Sequence, residues 1–519
     1  RFNLSFDMRY ILREKGETMG TSDGTGLDGI IIDTYKMNPT YLAYYTDGSY
    51  AYNSNGIVNP LAYLYESGNW QNDTHDASGI FKISYEFLDG LKLTGLANVN
   101  YIFNNDSKMK RQFHITDYNS KDDVLLEQNS LDESRNYKAY YNLQALLTYQ
   151  KQIGKHSLDI LAGYQQESEK SNWISAYRDG FPTDLVHVLT GGSMDNWSND
   201  GNADHWAIAS FLGRINYDYD NKYILSLSIR SDASSRFAKG SRWSSFPSVA
   251  AAWRVSQESF MEGTKVYLDD LKLRVSWGQT GNATGLGLYP SYTLVSTGGL
   301  ILNNSYQQMA QLKTIGNQDL TWEHSDMFNV GLDAKFLNSR LNFTGEYYVK
   351  NTRDILLAVP VPLEYGFGKP NMNIGQVRNK GWELSLGWSD RINDFGYSIS
   401  ANLSDNRNEV IDLGDTGPWK GSNTYTEVGL PFNSIYGYES MGLFQSDKEV
   451  ADAPFQNSKT AAGDIRYKDQ NGDNKVDAND RVVLGDPNPH FLYGLNLAFD
   501  YKNFDLGMFF QGVGQMDRI

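Results

Sequence analysis

The feature that most constrains this chain is the alternation of its connections. Segments of about nine to thirteen residues carry apolar side chains at every second position, and they are joined in turn by a tight link and by a long polar one. Phe2, Leu4, Phe6, Met8 and Tyr10 alternate with Asn3, Ser5, Asp7 and Arg9. That period of two marks a strand with two unlike faces, long enough to cross a bilayer when tilted. The pattern returns in 80–87 and 91–103, in 136–150 and 156–166, in 206–218 and 223–231, and in 246–255 and 269–278. It returns again in 324–335 and 340–350, in 380–389 and 394–405, and in a hairpin over 490–512 that turns at Tyr501-Lys502-Asn503. The count is about fifteen strands. The long connections, 11–79, 104–135, 167–205, 232–245, 279–323, 351–379 and 406–489, all fall on one parity. A soluble sandwich or propeller has no reason to keep its long loops on one side. A transmembrane barrel does, with short periplasmic turns and long external loops. The fold class is therefore read as all-β, a transmembrane antiparallel β-barrel with long extracellular loops.

Composition agrees by exclusion. No run of apolar residues is long enough for a transmembrane helix, and the mean hydropathy is −0.52, but a barrel strand is only half apolar and passes that test unseen. Thirty-five tyrosines and 48 glycines among 519 residues suit strands and turns rather than disorder. A net charge of −16 argues against nucleic acid as a partner. With no cysteine, disulfides and thiolate metal sites are excluded. On the barrel reading the apolar alternates face lipid and the polar ones the lumen. Tyr10, Tyr101, Tyr149, Tyr164 and Tyr501 are then candidates for the interface girdles. The sequence opens directly on a strand and is expected to be an interior piece of a longer protein.

Among motifs, the acidic stretch after Gly463 is the most specific. Asp469, Asn471, Asp473, Asp477 and Asp480 stand at positions 1, 3, 5, 9 and 12 of a twelve-residue window, with the Lys475 carbonyl at position 7. That spacing lets one loop wrap Ca2+ with oxygen donors. Position 6 is Asn474, which tolerates a left-handed backbone, and position 12 is an Asp with a shorter arm than Glu. Its expected role is to stiffen an external loop; the bland alternative is a solvated Asx-turn loop. Gly24, Gly26 and Gly29 spell G-x-G-x-x-G, but no strand before them and no helical pattern after them is legible, so the dinucleotide reading fails its context. The seven histidines show no metal-pair spacing, and there is neither H-E-x-x-H nor G-x-S-x-G. No catalytic residue is assigned, and an enzyme is not expected. Tyr41, Tyr44, Tyr45, Tyr50, Tyr52, Tyr63, Tyr65 and Trp70, with Trp173, Tyr177, Phe181 and Trp197, crowd two long loops. Flat rings suit sugars or apolar ligands, though most are expected to pack the loops on themselves.

The stretch Gly463–Gly512 resembles the C-terminal part of SusC/RagA-type TonB-linked outer-membrane proteins of the Bacteroidetes. So do Ser234-Ser235-Arg236-Phe237 with Arg242-Trp243, the run from Phe246 to Arg254, LKLRVSWGQTGN (271–282), NQDLTWE (317–323), NIGQVRNKGWELSL (373–386) and GLPFNSIYGYESMGLF (429–444). The resemblance covers most of 206–512. It implies a 22-stranded barrel with an N-terminal plug, TonB acting through that plug, and a SusD-like lipoprotein lid, together importing oligosaccharides or peptides across the outer membrane. The plug, the TonB box and the closing strands are not found in 1–519, which reads as one partial barrel domain. Competing expectations are a stand-alone TonB-dependent receptor for an iron chelate or vitamin, a barrel enzyme, and a soluble calcium-stabilised glycan-binding β-protein.

Overall fold

A computed structural model describes residues 1–21, 24–52, 59–117, 123–126, 128–303, 305–359, 364, 366 and 368–518. Fifteen long strands form one sheet in chain order. They are β1 (Phe2–Thr18), β2 (Gly68–Leu88), β3 (Leu91–Lys110), β4 (Ser130–Ile153), β5 (His156–Asp179), β6 (Trp197–Tyr219), β7 (Tyr223–Ser234) and β8 (Trp243–Arg254). Then come β9 (Leu268–Asn282), β10 (Glu323–Phe336), β11 (Leu341–Arg353), β12 (Gln376–Ile392), β13 (Phe395–Asp412), β14 (His490–Tyr501) and β15 (Phe504–Gln515). All fifteen segments read from the alternation are present. Their ends are not where the sequence placed them. β1 continues to Thr18 and β2 begins at Gly68, so 11–79 is not one loop, and much of 167–205 is strand. Past the bilayer both faces of a strand meet water, so the apolar alternation stops while the backbone ladder continues.

The helix α1 (Gly26–Lys36) was also not legible, and it overturns the premise that no helix follows Gly24 and Gly26. A two-residue strand, Gly24–Thr25, stands immediately before it. The strand belongs to a two-stranded antiparallel sheet, not to the parallel βαβ unit a dinucleotide site needs.

The chain divides into two compact units, Arg1–Leu147 with Gly163–Ala209, and Thr148–Ala162 with Ser210–Ile519. In the first, β1 pairs β2 without interruption from Phe2↔Tyr85 to Thr18↔Asn69. In the second, register rows run straight across the sheet. One row reads Tyr223, Trp253, Leu273, Leu332, Gly345, Leu384, Leu403, Tyr493 and Gly512. Neighbouring rows on that face hold Leu225 with Val275 and Val330, and Leu227 with Val249, Trp277 and Phe328, all exposed. On the opposite face sit Ser228 and Ser248, bonded through their hydroxyls at 2.6 Å, and Arg274 with Asp333 and Glu346. Arg274 reaches from β9 past β10 to Glu346 on β11. The residue it crosses is Gly331, where a Cβ would lie 2.9 Å from Nη2. The exposed face is apolar and the other is a hydrogen-bonded polar lattice, the inverse of a soluble sheet.

Buried apolar side chains gather mostly in the long connections and at the strand ends beside them. Ile30, Ala62, Tyr63, Phe113 and Ile115 form one knot in the first unit. Phe237, Phe246, Ala283, Leu286, Leu320, Trp322 and Leu356 form another in the second. At the short-turn end Tyr223 faces Trp253, and Glu258 accepts hydrogen bonds from both, as an interface girdle requires.

Two adjacent residues test the assignment of faces. Leu227→Arg puts a charge into lipid and is expected to cost about 2–4 kcal/mol near the midplane. Ser228→Arg, on the polar face, is expected to cost under about 1 kcal/mol. Urea unfolding in lipid vesicles compares them, and equal costs would show the faces misassigned.

Candidate functional site

Two places on the long-loop side carry the site chemistry. The first is an open cleft of about 740 Å3 in the first unit. Its floor is the outer end of the β1–β2 ladder, where Glu17 pairs Trp70 and Glu14 pairs Asp73. Its wall is α2 (Pro60–Glu66). Asn59 caps that helix, accepting from the N–H groups of Leu61 and Ala62 while its amide donates to the Ala43 and Ala51 carbonyls. One buried side chain thus ties helix, loop and strand together. Thr18 fastens the floor to the wall by donating to the Tyr63 carbonyl at 2.9 Å. Tyr65 lines the cleft with Trp70 and Glu17 from one face of the ladder and Gln71, Asp73 and Glu14 from the other. The Trp70 indole donates to Asp106, and the ammonium groups of Lys15 and Lys108 lie 4.7 and 5.3 Å from its ring centre. A flat ring beside carboxylates and an amide is the chemistry that binds a polyhydroxylated ring or a peptide backbone.

The other aromatics of the crowded loops pack in buried knots or stand on strands. Tyr63 is buried edge-on against Phe113, and Tyr50 and Tyr52 pack on the same knot. Phe181 is buried with Met109 and Leu131. Trp173 and Tyr177 turn out to lie on β5, and Trp197 is exposed at the start of β6.

The second place is the acidic loop, inside the long connection between β13 and β14. It hangs from a small four-stranded sheet of Trp419–Lys420, Thr424–Thr426, Ser434–Tyr438 and Arg481–Gly485. Asp480 is fully buried and is the hub. It accepts from the N–H groups of Gln470 at 2.8 Å, Asn471 at 3.4 Å and Asp477 at 2.7 Å. The Asp477 N–H is the largest influence and, with the other two, outweighs burial and holds the Asp480 carboxyl below the usual carboxylate range. The Asp469 carboxyl, at position 1, is near enough to bear on it. Asp469 itself accepts from Gly472 and Asn474. Asn471 accepts from the Asp473 N–H, Asp473 from Lys475 and Asp477 from Asn479. Lys475 is held by a parallel bridge to Phe455. Asn474 takes φ +65°, as position 6 was expected to.

The donor set therefore has the all-oxygen chemistry that calcium takes, and its two ends meet, but the carboxylates are turned onto backbone donors. Among the described residues no group of three or more His, Asp or Glu side chains is arranged to hold a metal ion. Beside the loop, Arg481 lies 4.6 Å from the Tyr436 ring centre and Tyr425 stacks on Tyr436 at 5.1 Å. The sequence held no periodic signal for that stack, because its two rings and the Arg481 guanidinium come from three separate short strands.

Because the native Asp480 carboxyl titrates low, its contribution is complete at neutral pH and is lost as pH falls through that lowered value. Asp480→Asn replaces one acceptor oxygen by a donor and leaves a backbone N–H facing it. Limited proteolysis of the segment 463–489 at neutral pH is expected to speed at least tenfold, and the unmutated loop is expected to show the same gain only in strong acid. An unchanged rate would show that Asp480 is not the hub.

Comparison with known proteins places this geometry. A family profile described as "TonB dependent receptor-like, beta-barrel" matches residues 18–511. The TonB-dependent receptor P3 of Formosa agariphila is 30% identical over 510 residues, covering 95% of this chain and 50% of its own. The TonB-dependent receptor SusC of Bacteroides thetaiotaomicron is 28% identical over 497 residues, 88% of this chain and 45% of its own. The chain thus spans about half the length of these relatives. A structure of the RagAB peptide importer in a "closed-closed" state superposes with a TM-score of 0.81 at 23% identity, covering 99% of this chain and 56% of that one. The fold is shared at that level.

Proposed function

The chain belongs to the TonB-dependent receptor family of the outer membrane, and from that premise we propose that it is of the SusC/RagA kind and forms the wall and external loops of a TonB-driven importer of oligosaccharides or peptides. The family is one of receptors and not of enzymes. One observation carries the reading: the sheet turns bare apolar rows to one side and a lattice of Arg274, Asp333, Glu346 and paired hydroxyls to the other. The first suits lipid and the second a watery passage for a polar solute. The soluble glycan-binding alternative has no use for such rows.

The cleft of Tyr65 and Trp70 supports a ligand contact on the external side, with stacking on the rings and hydrogen bonds to Gln71, Asp73 and the glutamates. A SusD-like lipoprotein delivers the ligand, and TonB, acting through a plug, opens the passage. The RagAB assembly is described as a peptide importer, which supports the peptide branch. We also propose that Asp469, Asn471, Asp473, Lys475 (through its carbonyl), Asp477 and Asp480 hold Ca2+. A bound cation would supply the positive charge that two adjoining carboxylates, Asp469 and Asp480, otherwise lack. These residues then tie both ends of the loop to the small sheet carrying Arg481.

Native purification in mild detergent with mass spectrometry of every accompanying chain and small molecule tests the reading. A lipoprotein with bound oligosaccharide supports the glycan branch, and one with peptides the peptide branch. A lone chain at every salt and detergent condition would promote the stand-alone receptor for an iron chelate or vitamin. Trp70→Ala is expected to weaken binding of the co-purifying ligand about tenfold, or about 1.4 kcal/mol, with the barrel intact. Calcium is expected to slow proteolysis of 463–489 and a chelator to restore it; a rate indifferent to both would remove the cation.

A further inference from the structure

The lipid-facing rows climb as they cross the sheet, because strands of a barrel are tilted. Tyr223 begins β7 at its short turn, whereas Leu403 of the same row stands well up β13 from Phe395. Rows that are apolar on β7 to β10 therefore reach the outer edge of the lipid band on β12 and β13. Their character changes there. The row of Leu227, Val249, Trp277 and Phe328 continues through Val349 to Lys380 and Arg407. The next row outward runs from Asp326 through Asn351 to Arg378 and Glu409. Just below stands Trp382, paired with Tyr347, so the change falls where an interface girdle belongs.

Lys380 and Arg407 are direct cross-strand neighbours on one face. Like charges so placed are destabilising. The chain holds 62 acidic residues against 46 basic ones, so a counter-charge was not scarce. Yet among the described residues no carboxylate lies within ion-pair reach of Lys380 or of Arg378, and Arg378 Nε donates to the neutral Asn351 side chain at 2.8 Å. Glu409 stands opposite Arg378 in register without closing that pair. Asp326 is engaged by Arg353 at 3.0 Å and by Gln279. Arg407 reaches Asp405 at 3.4 Å, but that buried carboxylate is also held by His490 at 2.7 Å, and the Arg407 side chain remains 65% exposed. Three cations thus gather on two adjoining strands, turned outward, with most of their donors unspent.

We propose that Arg378, Lys380 and Arg407 form a binding site for a phosphate group carried by a lipid of the outer leaflet. Guanidinium and ammonium groups together suit phosphate, the first pairing two of its oxygens and the second acting as a point charge. An anion between Lys380 and Arg407 turns their repulsion into a shared attraction. Place argues for a lipid over phosphate free in water. The three side chains share the face of the lipid-exposed rows and stand directly above Trp382, at the depth where headgroups lie. A soluble anion bound for the passage would meet the other face, where Lys350 pairs Asn379. The site rests on the outer-membrane location and on the assignment of faces, not on what is imported.

Full-length protein, purified from outer membranes and stripped of lipid in mild detergent, is titrated with lipid A, with the same lipid A after phosphatase treatment, and with inorganic phosphate. Lipid A is expected to bind at least about tenfold more tightly than its dephosphorylated form, with an affinity that falls as salt rises. Lys380→Gln with Arg407→Gln is expected to lose that preference and Lys380→Arg to keep it, with heat-modifiable migration unchanged in both. Lys350→Gln, on the passage face of β11, is expected to keep it as well. Equal binding of the two lipids, a preference retained in full by the double variant, or an equal loss in Lys350→Gln overturns the proposal. Inorganic phosphate that binds as tightly as lipid A, and is lost in the same double variant, assigns the site to a free anion and overturns the lipid source. Equal costs for the substitutions at Leu227 and Ser228 would instead remove the faces themselves, so the two failures are distinguishable.

Discussion

A peptide group in hydrocarbon has no water to bond, and the rest of this structure follows from that constraint. Every N–H and C=O inside the bilayer must find a partner on a neighbouring strand. The ladders are accordingly long and nearly unbroken, as between Phe2–Thr18 and Asn69–Tyr85. With the backbone satisfied, the side chains sort by what each face meets. Leu227, Val249, Trp277 and Phe328 are bare on one side because lipid is as apolar as they are. Ser228, Ser248 and the Arg274 network bond one another on the other side because that side is wet. Gly331 belongs to the same logic: a side chain there would block the reach of Arg274 to Glu346.

Water reverses the rule in the long connections. There the chain must bury its own apolar residues, and it makes small knots around Trp322 and around Tyr63. These knots are what give the external side fixed shapes. The cleft at Trp70 exists because Asn59 and Thr18 lock α2 over the strand ends. The acidic loop has a definite form because buried Asp480 gathers three backbone donors.

The sequence by itself determined the number of strands, their pairing order and the side on which the long loops lie. A period of two is a local property, and each apolar alternate needs only lipid beside it, not a particular partner. Position 6 of the acidic loop was legible for the same reason, since Asn474 answers a local backbone demand. What only the tertiary structure decided is everything that depends on distant residues meeting. The strands run past the bilayer to Thr18 and Asp179, where pairing persists after the alternation has ended. The helix Gly26–Lys36 has a weak pattern of its own and is held by burying Ile30 against Tyr63 and Phe113. Which aromatics become core and which line the cleft was equally hidden, because Tyr63 and Tyr65 are alike in sequence and differ only in the side of α2 on which they fall. Local periodicity records which solvent a side chain faces, and long-range packing records which neighbour it meets; only the first is written along the chain.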